Sequence, residues 1–351
     1  MKHFYFAKTL FFGVFLSLII SCQESPKEDK TITISGDITE DSQWTADKNY
    51  ILDNQVTVLP GVTLTIEPGT VIKANAGEAP RVSMLVVARG GKLMAQGTAE
   101  KPIIFTSIND NLDPANGVKS SLLNTDVGLW GGIIILGNAP VSLDNGDDQT
   151  FYIGLDPAND NSYYGGENEE DNSGVIEYVS IRHGGVFMGT GSESNGLTLC
   201  GVGAKTTLNQ IEIFANQDDG IEFFGGTANV SNLIVHASAD DAIDIDEGYA
   251  GSVTNFLIQL VEDSDNAVEI SGGQEGQAGN FTLKNGLIDG MGLATAAIYS
   301  IDEKAIGKIA NVKTINLTEQ TSDNKSTKVN IEASKEETKE MNFSWARSKE
   351  Q

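Results

Sequence analysis

From Thr31 onward the chain alternates apolar and polar residues in short runs. Thr31-Ile32-Thr33-Ile34-Ser35-Gly36 does so residue by residue, and residues 56–72 pack three such runs around Pro60-Gly61 and Pro68-Gly69. Period-two alternation rich in Val, Ile and Thr, punctuated by turn residues, predicts strands. Nothing after residue 30 sustains a helical period. In the middle of the chain one phrase recurs: Asp218-Asp219-Gly220-Ile221-Glu222-Phe223, Asp240-Asp241-Ala242-Ile243-Asp244-Ile245 and Asp265-Asn266-Ala267-Val268-Glu269-Ile270, starting 22 and then 25 residues apart. A second phrase places a polar residue ahead of an alternating strand at Tyr178, Gln210, Asn232, Asn255 and Asn311, and the steps from Gln210 to Asn232 to Asn255 are 22 and 23. Repeats of that period mark a solenoid. Two strands and two corners per coil describe an all-β fold, a single parallel β-helix over residues 31–322. Ile221, Phe223, Ile243, Ile245, Val268 and Ile270 form its inward stack.

Three insertions interrupt the rhythm: Ile108 to Gly128, Arg182 to Asn195, and Asp144 to Gly174. The last holds nine acidic residues and no Lys or Arg, with Phe151, Tyr152, Tyr163 and Tyr164. Long loops on a rigid solenoid tend to carry function. Tyr152, Tyr163 and Tyr164 have faces that stack on sugar rings, and the same faces can pack the insertion onto the coils. Residues 323–351 form a polar C-terminal segment. Its Phe343-Ser344-Trp345 is either an aromatic plug on the last coil, since solenoids need caps, or part of an exposed tail.

The N-terminus reads as a processing signal over residues 1–21. Lys2 and Lys8 precede the apolar run from Leu10 to Ile20, which is too short to span a bilayer comfortably. Ile19-Ile20-Ser21-Cys22 resembles a bacterial lipobox, which implies cleavage before Cys22 and lipid on its sulfur. Residues 22–30 then form an acidic tether. With Cys22 acylated, Cys200 is the one thiol left, so no internal disulfide can form. Cys200 ends the apolar phrase Leu197-Thr198-Leu199-Cys200 and reads as a small buried hydrophobe. Loss of Lys2 and Lys8 takes the net charge from −26 to −28. Such a surface repels nucleic acid and anionic lipid and favours cations or neutral ligands.

Residues 61–72 (Gly-Val-Thr-Leu-Thr-Ile-Glu-Pro-Gly-Thr-Val-Ile) and 97–107 (Gly-Thr-Ala-Glu-Lys-Pro-Ile-Ile-Phe-Thr-Ser), with Trp130-Gly131-Gly132-Ile133 and the Asp-Asp coils, resemble right-handed parallel β-helix surface lipoproteins of the Bacteroidota type. The resemblance implies a right-handed helix and an outer-membrane address on the cell surface. It implies little about activity, because this fold hosts lyases, hydrolases, adhesins and spacers.

Candidate chemistry centres on the Asp coils. With Ile221 and Phe223 inward, Glu222, Asp244 and Glu269 point outward and stack as a carboxylate ladder flanked by Asp218, Asp219, Asp240 and Asp241. Oxygen-only ligands at flexible spacing suit Ca²⁺. The bland alternative has the corner aspartates forming Asx-type turns and the outward acids solvated. Carboxyl pairs on adjacent coils also fall in the range that glycoside hydrolysis requires. The Asp-Asp phrase is similar to one motif of polygalacturonases, but Asn-Thr-Asp, Gly-His-Gly and Arg-x-Lys are absent, and Arg182-His183-Gly184-Gly185 precedes the Asp pairs. A uronate lyase needs a Lys or Arg base. Residues 206–283 hold 14 acids and no Lys or Arg, which leaves only sites near Arg81, Arg89 or Arg182. His183 and His236 show no metal-ligand spacing and read as structural.

The reading that follows is a noncatalytic binding or adhesion module on the cell surface, taking a glycan or an envelope protein. A carbohydrate-active enzyme using the Asp-coil carboxylates and a plain spacer are the alternatives. Aligned acids in a groove with aromatics at its ends speak for the enzyme; a smooth flank speaks for the adhesin or spacer. Cys22→Ala is expected to abolish acylation and move the protein from the membrane to the soluble fraction; unchanged fractionation would remove the anchor.

Overall fold

The structure is a computed structural model that describes Met1 and residues 30–112, 119–143, 145–189, 192–274, 279–334 and 345–346. Met1–Lys30 and Thr31–Gln351 are separate units. Cys22, the apolar run and the tether up to Asp29 lie outside the described residues. Among the described residues no helix is long and apolar enough to cross a membrane.

The unit from Thr31 is a parallel β-helix whose main sheet has 22 strands. Each strand pairs with its counterpart one coil away. Ile221–Phe224 pairs in register with Ile243–Asp246, which pairs with Asn266–Ile270. Longer strands form the rest of each coil, including Thr207–Asn216, Asn229–Ser238, Ser252–Gln259 and Phe281–Asp289. They carry the second sequence phrase, and its polar residue is a left-handed corner: φ is 53° at Gln210, 54° at Asn232 and 58° at Asn255 and Asn285. Asparagine is among the few side chains that occupy this region at low cost. The corner splits each long strand into two faces. In Gly174–Arg182 the first half pairs with Lys92–Gln96 and the second with Ile103–Ser107. A coil therefore has three sides, not the two strands and two corners expected from the sequence.

The corner asparagines also bond one another. Asn255 Nδ2 donates to Asn232 Oδ1 at 3.4 Å, Asn285 to Asn255 at 3.3 Å and Asn311 to Asn285 at 2.9 Å. An amide both donates and accepts, so stacked copies satisfy each other.

The inward stack is as the alternation requires, with Ile221, Phe223, Ile243, Ile245, Val268 and Ile270 all buried. In the first coil Trp44 stacks on Tyr50 with ring centroids 4.9 Å apart. At two places where an aromatic ring sits in the stack the next coil yields space: Phe256 pairs with Gly286, and Phe281 with Gly307.

Two expectations about the C-terminus are corrected. The helix does not stop at residue 322, because Glu319–Asn324 and Val329–Ala333 add a further coil. That coil escapes a hydrophobicity reading because Ser322 and Asn324 occupy inward positions next to Tyr299 and Ile301 on a solvent-facing end. Trp345 does not plug the last coil. It is buried on the flank of the middle coils against Ile234, with Tyr178 and Leu257 beside it, and its Nε1 donates to Gln210 Oε1 at 2.8 Å. Phe343 and Ser344 lie outside the described residues.

A Cβ at Gly286 would sit 2.1 Å from the Phe256 ring. Gly286→Ala is expected to destabilise the protein by about 1–3 kcal/mol, the usual cost of overpacking. Phe256→Leu in the same chain is expected to recover part of that loss, measured as a coupling energy in chemical denaturation.

Candidate functional site

The outer surface of the short-strand face changes character along the solenoid. Registered outward positions run Val86, Ile134, Thr198, Glu222, Asp244, Glu269 and Ser300. A parallel row runs Leu136, Cys200, Phe224 and Asp246. The apolar half needs a cover, and the 144–174 insertion supplies it. The insertion folds as a hairpin of Gln149–Phe151 with Tyr163–Gly165. Tyr152, Leu155 and Tyr164 join Val86, Ile134, Leu136 and Cys200 in a second core outside the coils. Arg89 pins it, donating to Gln149 Oε1 and the Gly165 carbonyl at 2.9 Å each. Cys200 is fully buried there, and burial pushes its thiol pKa up.

A cleft of about 570 Å³ opens where the cover ends and the acids begin, within the usual range for small-molecule sites. One wall comes from the insertion, with Thr150, Phe151, Tyr152, Ile153 and Tyr164. The Phe187–Gly189/Ser192–Glu193 hairpin contributes Ser192 and Glu193, and the coil supplies Asp218, Asp219, Glu222, Phe224 and Glu247. Tyr152 meets Phe224 edge-on at 5.7 Å. Tyr164 donates its hydroxyl to both oxygens of Glu247, at 3.0 and 3.1 Å. Tyr152 and Tyr164 thus both pack the insertion and line the cleft. Tyr163 does not line it; its hydroxyl donates to the Pro157 carbonyl at 3.2 Å.

The carboxylate ladder is present in the expected register, and it is half-buried, not freely solvated. Asp219 and Asp241 are buried corner residues, and they do not form turns on their own segments. Asp219 Oδ1 accepts from the Asp241 backbone N–H at 3.0 Å, and Asp241 Oδ1 from that of Asn266 at 2.7 Å, each one coil onward. Asn195 donates to Glu222. The four aspartates predicted as ligands are brought together with Glu222, Asp244, Asp265 and Glu269. Asp218–Asp219–Asp240, Asp219–Glu222–Asp244, Asp240–Asp241–Asp265 and Asp241–Asp244–Glu269 each place oxygens within 4.8 Å of one another.

Burial and crowding raise the proton affinity of these groups. Burial, then Glu193 and Asp240, lifts Asp218 from the ordinary 3.8 to about 7. Burial together with Glu269 lifts Asp241 to about 8. Asp219, Glu222 and Asp244 shift upward too, first through burial and then through each other. The arrangement also fits a hard divalent cation. The donors are all oxygen, and Asp244 Oδ1 is buried without a hydrogen bond. Asp219, Glu222 and Asp244 are the residues that would hold it.

Of the basic residues considered for lyase chemistry, Arg81 is exposed and outside the cleft lining, and the other two are committed elsewhere. Arg182 is buried against Glu212 at 3.4 Å, far from solvent, and Arg89 holds the insertion. His183 is buried with Nδ1 2.6 Å from the Asp126 carbonyl, and its ring meets Phe214, which in turn meets His236. Glu193, Phe224 and Glu247 were not singled out from the sequence. Phe224 was within reach of the alternation rule, as a large apolar residue two positions after an outward acid.

The family model described as a pectate-lyase-like beta helix domain matches residues 36–350, and the chain belongs to that family. No curated protein and no solved structure matches it.

Carboxyls whose pKa rises on folding hold protons that the unfolded chain releases, so stability falls as pH rises from about 4 to about 8. Tm is expected to be higher at pH 5 than at pH 8, and Asp218→Asn with Asp241→Asn should flatten that slope. Ca²⁺ at pH 8 is expected to recover Tm in the parent chain; a Tm that Ca²⁺ leaves unmoved removes calcium from this site.

Proposed function

We propose that this pectate-lyase-like β-helix protein is a noncatalytic surface module. In this reading a lipid on Cys22 anchors it to the outer membrane, facing outward, and the acidic cleft holds a glycan. The observation that carries the proposal is the cleft itself: an aromatic wall from the insertion beside carboxyl groups on a rigid coil. Flat rings cover the apolar faces of sugars while carboxyls accept from hydroxyls. The 144–174 insertion spends a second hydrophobic core on building this wall, which a spacer does not need. Among the described residues no Lys or Arg lines the cleft to supply the base and the counter-charge that uronate elimination demands.

A second reading, glycoside hydrolysis, draws support from one observation. Glu193 on the hairpin and Asp218 on the coil belong to two walls of the cleft, and their mutual repulsion contributes to the proton that Asp218 keeps near neutrality. Hydrolysis needs a protonated carboxyl and an ionised one flanking the scissile bond. Binding is preferred because Asp218, Asp219 and Glu222 all come from one stretch of one coil, on one side of the cleft.

The test is a glycan array probed with the full chain in detergent. Phe151→Ala removes an aromatic worth about 0.5–1.5 kcal/mol and is expected to weaken bound glycans roughly three- to tenfold without unfolding the insertion. An array without hits would overturn the glycan reading. Reducing-sugar release from a bound glycan would replace binding with hydrolysis.

A further inference from the structure

The cleft is one-signed. Glu193, Asp218, Asp219, Glu222 and Glu247 line it, and among the described residues no Lys, Arg or His does. The charge is also not answered from behind, since residues 206–283, which supply the floor and its neighbouring coils, contain no Lys or Arg. Asn195 donates to Glu222 and the Tyr164 hydroxyl to Glu247. Asp219 accepts a backbone N–H from the next coil. Glu193 and Asp218 reach the cleft from the hairpin and from the coil corner.

The aromatic wall stands within the same enclosure. Phe151, Tyr152 and Phe224 line the cleft, and Ile153 at its rim is 61% exposed. Carboxylates facing aromatic rings in a partly desolvated space make a site for a cation carried on an apolar or ring-shaped body. The rings attract it through their faces, and the carboxylates pair with its N–H donors. A neutral sugar gains only hydrogen bonds there, and a uronate is repelled.

Resting on the glycan reading above, we infer that the ligand of this cleft is an amino sugar with free, protonated amines, engaged between Glu193 and Asp218 and stacked against Phe151. The amine supplies the counter-charge that the protein withholds, so selectivity is set by ligand charge.

Chitosan oligosaccharides, their fully N-acetylated counterparts and galacturonate oligosaccharides of the same length separate the possibilities, titrated into the full chain by calorimetry. The free-amine series is expected to bind at least about tenfold tighter than the acetylated series, with the ratio shrinking as salt screens the charges. Glu193→Gln with Asp218→Asn is expected to bring the ratio toward one; circular dichroism and Tm establish that this variant is folded. Equal affinity for the amine and acetylated series would overturn the inference and leave the glycan reading standing. Tightest binding of the galacturonate series would also overturn it. Binding of none of the three, together with an empty glycan array, would overturn both.

Discussion

Every side chain on this solenoid lives with its counterpart about 4.8 Å above and below, because the strands are parallel and in register. That spacing decides which residues each position tolerates. Aliphatic side chains accept it inside the coils, where Ile221, Ile243 and Val268 stack in turn. Asparagine accepts it at the left-handed corners, where Asn232, Asn255, Asn285 and Asn311 bond each other. Carboxylates are penalised by it, since like charges at this distance repel and burial adds to the cost. Glu222, Asp244 and Glu269 are stacked nevertheless. The place where the repeat breaks its own rule is where the insertion opens a cleft.

The insertion and the acids are two halves of one design. Val86, Ile134 and Leu136 make part of the outer face apolar, and the insertion buries it. The acids begin two coils later, at Glu222, and stay half-buried. A boundary between a covered apolar face and an open charged one has aromatic side chains on one side and carboxyls on the other, and that is the lining of the cleft. Among the described residues its lining holds carboxyls and no Lys or Arg.

The repeat made most of the fold legible from the residues alone. The period of the Asp phrase defined the coil, and alternation identified the inward stack and the outward ladder correctly. The polar residue ahead of each long strand was visible as a pattern, but its meaning, a left-handed corner splitting the strand into two faces, depends on a backbone angle that residue types only hint at. The last coil was missed because Ser322 and Asn324 sit where earlier coils place aliphatic residues. Trp345 was misplaced because its partners, Gln210 and Ile234, precede it by more than a hundred residues, a distance that no local pattern spans. The cleft was half legible. The acids and tyrosines were named, yet Glu193 and Glu247 belong to it only through the packing of separate loops.

Trp345 has a consequence for how the molecule yields. In a solenoid each coil touches only its neighbours, so the end coils are free to fray one at a time. A side chain from the last few residues, seated on coils well inside the helix, bypasses that order. Peeling the chain from its C-terminal end must first draw Trp345 out of its seat against Ile234 and break its bond to Gln210. The open end of the helix is thereby latched to its interior, and a structure built as a row of weakly dependent units resists pulling as a larger one.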